Sequence, residues 1–256
     1  PFYAIGIRWR EGYVRQEITP QGQQRDRFSE WTPPPELVPT GVQISLQILD
    51  QPLSLEIWRL KRKSATLLLL DVAHGDQHPL ANTVTRRLYE GSPEIRIAQE
   101  MVLGIGGVRA LATLGIRPDV YHFNEGHAVL GGIELIRQAM REGLPFEEAW
   151  RQVRRRIVFT THTPVEAGNE VHDLDLLARM GACNGLTRRE MTALGGWPFS
   201  MTVAGLRMSR RANAVSRVHG LTARRMWADV SDAAPITSIT NGVYRPTWQH
   251  PRIARA

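Results

Sequence analysis

The pattern of apolar and polar residues divides the chain at about residue 72. Before that point, short runs rich in β-branched and aromatic residues are separated by glycine and proline, and residues 42–48 alternate between apolar and polar side chains. Such runs are typical of β-strands. The strands that the pattern predicts cover residues 5–9, 13–18, 42–49, 53–60 and 66–72. We expect the last two to form a hairpin with Lys61 and Lys63 in its turn.

After residue 72, helical patterns alternate with short apolar runs. Apolar residues between Glu94 and Leu114 recur at helical spacing and predict a long helix that ends at Gly115. Further predicted helices cover residues 127–142, 145–156, 201–213 and 221–227, and predicted strands cover residues 119–123, 157–161, 214–216 and 236–240. Strands that alternate with helices across short links indicate a parallel sheet with crossover helices. We therefore predict an α/β fold, with a Rossmann-like core over residues 73–256 and residues 1–72 as a β-rich extension of the same domain.

Composition narrows the classes of function. None of the apolar runs in the 256 residues is long enough to cross a bilayer, so we expect no membrane partner. The single cysteine, Cys183, excludes an intrachain disulfide framework and a zinc cluster built on cysteines. No apolar signal segment is present, which favours a cytoplasmic location. The net charge of +7 would suit a nucleic-acid partner, but the arginines are spread through helical patterns, so we expect none.

Polar clusters follow the predicted strands of the core. Residues 124–127 (NEGH) come directly after one strand, and residues 160–164 (TTHTP) end the next, with Glu166, Asn169 and Glu170 in the following loop. A third cluster lies at residues 216–220, together with residues 240–242 after the last strand. Ligands of open parallel sheets bind beyond the carboxyl ends of the strands, so these clusters predict a site for a polyhydroxylated ligand. The alternative is that they only cap helices, as Asn124 before Glu125 would.

Three other groups have a structural and a functional interpretation. Residues 104–107 (GIGG) suggest dinucleotide binding, but they lie within the predicted long helix, so we favour close helix packing. His74, Asp76 and His78 have metal-binding side chains, but polar loop residues explain them as well, and we expect no metal site. Nothing in the sequence orients a base toward Cys183, so we expect a partly buried side chain there rather than a nucleophile.

Several motifs occur in the order found in one known family. Residues 121–128 (YHFNEGHA) and 159–165 (FTTHTPV) resemble motifs of the α-glucan phosphorylases, which act on glycogen, starch or maltodextrin. Further matches lie at residues 12–16, 87–89, 96–100, 201–213, 239–243 and 247–248. The resemblance extends over nearly the whole chain, and motifs of seven or eight residues in register are specific.

The resemblance implies the amino-terminal half of a GT-B glycosyltransferase fold. Enzymes of this family release glucose 1-phosphate from the ends of α-1,4-glucans with inorganic phosphate, and they use pyridoxal 5′-phosphate through its phosphate group. By motif, His162 takes the place of a catalytic histidine that contacts the glucose 6-hydroxyl, with its carbonyl facing the developing positive charge. The implied substrate-binding residues are Asn124, Glu125, His127, Thr161 and Glu170, and Gly91 falls in a loop that gates the cleft.

The resemblance also implies parts that this chain lacks. The family's second domain carries the cofactor lysine and the phosphate ligands, whereas the two lysines here lie in a predicted hairpin turn. We therefore expect no cofactor-binding residue in the chain and no activity of the chain alone. A non-catalytic glucan-binding fragment and a GT-B transferase that uses a sugar nucleotide remain as alternatives. A homo-oligomer is left open.

Overall fold

The computed structural model describes residues 1–12, 14–88, 91–165, 168–245 and 249–254. The first part of the chain consists of strands β1 (Phe2–Ile7), β2 (Arg15–Ile18), β3 (Gln24–Arg27), β4 (Val38–Ile48), β5 (Gln51–Arg62) and β6 (Ala65–Val72). Four of them form a mixed sheet in the order β1-β6-β5-β4, in which β1 runs parallel to β6 and the other neighbours are antiparallel. Strands β2 and β3 pair with each other in a separate ribbon.

Alternating side chains explain why the mixed sheet forms. Alternate apolar residues of β4 and β5 are buried, while the polar residues between them in β4 are exposed; the buried ones are Ile44, Leu46, Ile48, Leu53, Leu55 and Ile57. Strands β5 and β6 form the predicted hairpin, and Lys63 occupies its turn with a φ angle of 50°. The predicted start of a strand at Tyr13 lies outside the described residues, and β3 was not predicted because its four residues are all polar.

The second part of the chain alternates between helices and strands, as predicted. Its helices are α1 (Pro93–Met101), α2 (Gly107–Thr113), α3 (Leu130–Arg141), α4 (Phe146–Arg154), α5 (Leu174–Met180), α6 (Arg188–Gly195), α7 (Met201–Arg207) and α8 (Arg217–Met226). A π-helical turn (Val102–Gly106) joins α1 to α2, a 3-10 turn (Gly126–Ala128) precedes α3, and Pro251–Ala254 forms a last short helix. The strands are β7 (Tyr121–Asn124), β8 (Ile157–Thr161), β9 (Val171–His172), β10 (Phe199–Ser200), β11 (Arg211–Ala214) and β12 (Ile236–Ser238). No helix in these described segments is long and apolar enough to cross a membrane.

A parallel sheet lies at the centre of this second part. Its order is β12-β11-β8-β7, and all neighbouring strands are parallel, which confirms the predicted α/β fold. Strands β9 and β10 form a separate antiparallel pair. The buried apolar side chains of both four-stranded sheets belong to one continuous core.

The predicted helix over residues 201–213 was wrong in its second half. Helix α7 ends at Arg207, and residues 211–214 form β11, which pairs with β8 on one side and β12 on the other. The partners of β11 are distant in the sequence, so the local pattern does not show them. Its hydrogen bonds as a central strand outweigh the local helical pattern. The strand predicted at residues 214–216 was likewise placed too late, and the short elements α5, α6, β9 and β10 were not predicted.

The long helix predicted between Glu94 and Leu114 is confirmed, and it packs closely on two sides. On one side, a Cβ atom added at Gly104 would lie 2.5 Å from the backbone nitrogen of Gly131 in α3. On the other, a Cβ added at Gly106 would lie 3.2 Å from Leu55 and 3.3 Å from Leu70 of the mixed sheet. The glycines therefore let the helix approach both α3 and the sheet, and helix packing is the correct interpretation of residues 104–107.

Gly104→Ala tests this close contact. Alanine favours a helix over glycine by about 1 kcal/mol, but the added methyl group would overlap backbone atoms of α3, and overpacking costs about 1–3 kcal/mol or more. We expect the variant to be less stable by roughly 1–3 kcal/mol, measured by urea or thermal unfolding of the purified protein. Gly242→Ala is the control, because its methyl group would enter open space. An equally stable Gly104→Ala variant would mean that the helices separate without cost.

Candidate functional site

The carboxyl ends of β7 and β8 bring the first two polar clusters together. Asn124 pairs with Thr160 in the sheet, and the backbone nitrogen of Glu125 donates to the Thr160 carbonyl at 2.9 Å. Asn124 is exposed at this edge, whereas Gly126 is buried against Met201 of α7. The side chain of Asn124 makes no cap for the following turn, whose N-cap residue is Glu125. Helix capping therefore does not explain why Asn124 is there.

Glu125 joins the two strand ends through its side chain. One carboxylate oxygen, Oε2, accepts the backbone N–H of His162 at 2.5 Å, and Oε1 accepts the hydroxyl of Thr163 at 2.9 Å. The backbone of Glu125 has φ 69° and ψ −177°, a conformation that glycine adopts easily and other residues do at a cost of about 1–3 kcal/mol. Hydrogen bonds to a charged group contribute about 1.5–3 kcal/mol each, so the two contacts offset this strain.

The contacts of Glu125 fix the backbone of His162 but leave its ring accessible. His162 is exposed just beyond the end of β8, and its imidazole makes no hydrogen bond within the part of the chain that the structure describes. A ring with two free nitrogens on an anchored backbone is suited to donate to, or accept from, a hydroxyl group of a ligand.

A polar chain crosses the sheet beneath this edge. His122 Nε2 lies 2.7 Å from the hydroxyl of Thr160, which donates its proton to the side-chain oxygen of Asn213 at 2.9 Å. Because the hydroxyl has one proton, His122 must donate from Nε2, which fixes its tautomer. Burial lowers the pKa of His122, and the nearby His162 lowers it further, so a neutral ring is favoured.

A second group of polar residues adjoins the site from α1 and the loop before β9. The guanidinium of Arg96 binds both carboxylate oxygens of Glu170, through Nε to Oε1 and through Nη2 to Oε2 at 3.0 Å. Nη2 also lies 2.5 Å from Nδ1 of His127, which is 3.2 Å from the Glu170 carboxylate. An arginine can only donate, so Nδ1 of His127 acts as an acceptor in this contact.

The charge of Glu170 follows from these contacts. Burial by itself raises its pKa, but the hydrogen bonds and the positive charge of Arg96 outweigh burial and hold the pKa of Glu170 well below the ordinary value. Glu170 is therefore ionised at neutral pH. Its side chain is 27% exposed, so the carboxylate is reachable from the site.

Glu100 lies deeper, one helical turn after Arg96. Its side chain is 1% exposed, and Oε2 is 2.8 Å from Nε2 of His172 in β9. Burial raises the pKa of Glu100 well above its ordinary value, and the neighbouring Glu170 carboxylate adds to the effect. The groups of Glu100, His127 and Glu170 that bind metals lie within 4.8 Å of one another, but the Arg96 guanidinium already contacts both carboxylates. Arginine thus supplies the positive charge that a metal would bring.

The structure places most of the predicted site residues around this edge. Asn124, Glu125 and His162 meet at the ends of β7 and β8, and His127 and Glu170 meet through Arg96. Thr161 is fully buried, and its hydroxyl has no hydrogen-bond partner among the described residues, so this position does not allow the direct ligand contact that we expected. Gly91 lies just before α1 with a φ angle of 95°, and the neighbouring Glu90 is outside the described residues.

The residues that sequence reasoning missed lie mainly on α1. Arg96 and Glu100 are four residues apart on a helix that also buries Ile97 and Met101, and a charged pair beside apolar residues on one helix is a detectable signal. No sequence signal identifies His172, since its two-residue strand is too short to show a period. Glu166, expected in the loop before Glu170, lies outside the described residues.

The other predicted groups have local structural roles. Ser216 caps α8 by accepting the His219 backbone N–H at 3.0 Å, so the third cluster is a helix cap. Both ring nitrogens of His78 contact backbone groups, those of Ile48 and Leu80, and Asp76 accepts two backbone N–H groups. Burial raises the pKa of the Cys183 thiol, which makes it a poor nucleophile.

Comparison with known proteins confirms the family resemblance. The chain is 39% identical to a glycogen phosphorylase of Mycobacterium tuberculosis over 98% of its own length and 33% of that protein's. It is 36% identical to a maltodextrin phosphorylase of Thermococcus litoralis over 100% of its length and 33% of that protein's. A glycogen phosphorylase of Aquifex aeolicus is 27% identical over 97% of this chain and 39% of its own length. No protein-family model matches the chain. The chain thus spans about one third of the length of the curated relatives that it matches.

Glu125→Gln tests the contacts that anchor His162. The amide replaces one accepting oxygen by a donor, so either the His162 N–H or the Thr163 hydroxyl loses its partner, at about 1–3 kcal/mol. We expect amide hydrogen exchange at His162 to become about tenfold faster or more. Glu190→Gln is a matched control, because Glu190 also accepts one backbone N–H and one threonine hydroxyl, both from Thr187 at the start of α6. Equal exchange at His162 in all three proteins would show that Glu125 does not anchor the loop.

Proposed function

Because this chain is a homologue of the glycogen and maltodextrin phosphorylases over about one third of their length, we propose that it forms part of an α-glucan phosphorylase. In this proposal, the chain supplies residues of the glucose site for release of glucose 1-phosphate from α-1,4-glucan ends by inorganic phosphate. The whole enzyme has a GT-B architecture, works in the cytoplasm and uses pyridoxal 5′-phosphate.

The observation that carries the proposal is the pair of anchored strand ends. The two motifs that resemble the family, around Asn124 and His162, are far apart in sequence, yet Glu125 joins them through its carboxylate. Beside them, Arg96 holds His127 and Glu170 together. A backbone held in place before the ligand arrives is what an electrostatically preorganised site requires.

Each residue receives a role in the proposal. The imidazole of His162 hydrogen-bonds a hydroxyl of the terminal glucose, and Glu125 fixes the backbone that carries it. Asn124, His127 and Glu170 bind hydroxyl groups at the rim of the same site. Thr161 supports the strand end from within the core rather than binding substrate, and Gly91 belongs to a loop that closes over the glucan.

The residues present do not fit the cofactor. A Schiff base needs a lysine at the site, and the two lysines of the chain, Lys61 and Lys63, lie in and beside the exposed turn between β5 and β6. The lysine and the phosphate ligands therefore belong to another part of the enzyme in this proposal. For the same reason, we expect the chain by itself to be inactive.

The test is phosphorolysis by the natural full-length protein in which this sequence occurs. Incubated with maltoheptaose and phosphate, it is expected to release glucose 1-phosphate, measured by a coupled assay. We expect His162→Ala to lower kcat/KM roughly tenfold to a hundredfold through loss of a substrate hydrogen bond in a water-poor site. His74→Ala, which removes an exposed histidine from a loop, is the control. Absence of glucose 1-phosphate from cofactor-loaded wild-type protein would refute the proposal.

The position of the two lysines at the turn between β5 and β6 favours one alternative, a glucan-binding fragment without catalysis. That alternative predicts weak maltoheptaose binding by the 256-residue chain alone, abolished in His162→Ala, and no phosphorolysis by any longer form. Consumption of a labelled nucleotide sugar in place of phosphate would instead indicate a GT-B transferase. The three outcomes are distinguishable in one set of assays.

A further inference from the structure

We propose that Glu100 is a protonated positioning residue, which donates a hydrogen bond to the Glu170 carboxylate and holds it against Arg96 and His127 at the edge of the site. The inference rests on the proposed function in one respect only, the role of Glu170 in binding hydroxyl groups of the ligand. The state of Glu100 itself is a property of the fold and is testable without activity.

Charge balance is the first argument. The charged and titratable groups that face Glu100 in the described part of the chain are Arg96, His127, Glu170 and His172. Burial lowers the pKa of His172, which favours its neutral ring. One guanidinium then faces two carboxyl groups, and a second buried carboxylate would have no positive charge to balance it. Such a pair shares one proton, and the more buried member holds it.

Hydrogen-bond geometry is the second, independent argument. Oε2 of Glu100 has His172 as its partner, but Oε1 is buried without a hydrogen bond among the described residues. The Nε of Arg96 lies 3.7 Å from Oε1, which is an ion-pair distance but too long for a hydrogen bond. A buried polar atom without a partner is costly. Carboxyl oxygens of Glu100 and Glu170 lie within 4.8 Å of each other, and a proton on Oε1 would turn the repulsion between two carboxylates at this distance into a hydrogen bond.

Glu100 is linked to the loop between β8 and β9. His162 lies at its start, where Glu125 anchors it, and Glu170 lies at its end, directly before β9. His172 in β9 binds Glu100, and the Glu170 carbonyl accepts the Met201 N–H at 3.0 Å. Glu100 thus joins α1 to the far end of this loop. It sets the position of Glu170 without touching a ligand itself.

Three variants in the natural full-length protein test the inference. Gln has the shape of a protonated glutamate and keeps a donor, whereas Leu removes both the donor and the acceptor, so we compare Glu100→Gln with Glu100→Leu. Glu170→Gln removes the charge that Arg96 holds. In infrared spectra at neutral pH, we expect a protonated-carboxyl band in wild type that is absent from Glu100→Gln.

The pH dependence of stability is the second readout. An exposed glutamate in the unfolded chain ionises at about pH 4.3, whereas Glu100 in the folded protein keeps its proton above that pH. The folded state then binds more protons than the unfolded state. Wild type should therefore lose melting temperature relative to Glu100→Gln as pH rises from about 4.3, with a constant difference below it. If the melting temperatures of wild type and Glu100→Gln change with pH in parallel, or if the carboxyl band is absent from wild type, the inference is overturned.

Kinetics test the positioning role separately. We expect Glu100→Leu to raise the KM for maltoheptaose about tenfold by releasing Glu170, Glu100→Gln to restore it to within about threefold, and Glu170→Gln to match the Leu variant. If Glu100→Gln raises the KM as much as Glu100→Leu does, an ionised Glu100 is required. If the wild type has no phosphorylase activity, the proposed function fails, but the infrared and melting experiments still decide the state of Glu100.

Discussion

The close approach of one helix to both of its neighbours is the constraint on which the rest of the structure depends. The run from α1 to α2 lies between the mixed sheet and α3; a side chain at Gly104 would overlap the backbone of α3, and one at Gly106 would press on Leu55 and Leu70 of the sheet. Interiors packed at this density transmit small displacements, because no void is left to absorb them. The amino-terminal turns of the same helix carry Arg96 and Glu100, so the packing of its glycines sets where these two charges meet the site.

The site has an exposed level around Glu125 and a buried level around Arg96, and different interactions stabilise the two. At the exposed level, Glu125 keeps a strained backbone because its carboxylate receives two hydrogen bonds, and removal of those bonds would leave the strain uncompensated. At the buried level, Arg96 binds Glu170 over a carboxyl group that is almost fully enclosed. Both levels are held by contacts between protein groups. In the proposed function, the ligand therefore meets an arrangement that is already formed, which limits the reorganisation needed on binding.

The sequence predicted what depends on local pattern and missed what depends on distant partners. A short apolar run between two polar segments predicts a strand at residues 157–161, and β8 covers these residues in the fold. Strand β11 carries a helical pattern, and its hydrogen bonds to β8 and β12 decide its state. At the site, motif resemblance pointed to Glu125 and His162, but no local pattern indicates that one would hold the backbone of the other. The burial of Thr161 likewise follows from how the sheet is covered, which its neighbours in sequence do not determine.

Within the proposed function, the charges around the site explain why another part of the enzyme would bind the phosphate. Arg96 neutralises Glu170, and with Glu100 protonated the carboxylate of Glu125 leaves a net negative charge at the strand ends. Such a field disfavours an anion such as phosphate and favours positive charge that develops on a sugar. Within the proposed function, this chain therefore suits the glucose side of the reaction. The cations that bind phosphate must come from the part of the enzyme that faces it, in agreement with the position of the two lysines far from the strand ends in sequence.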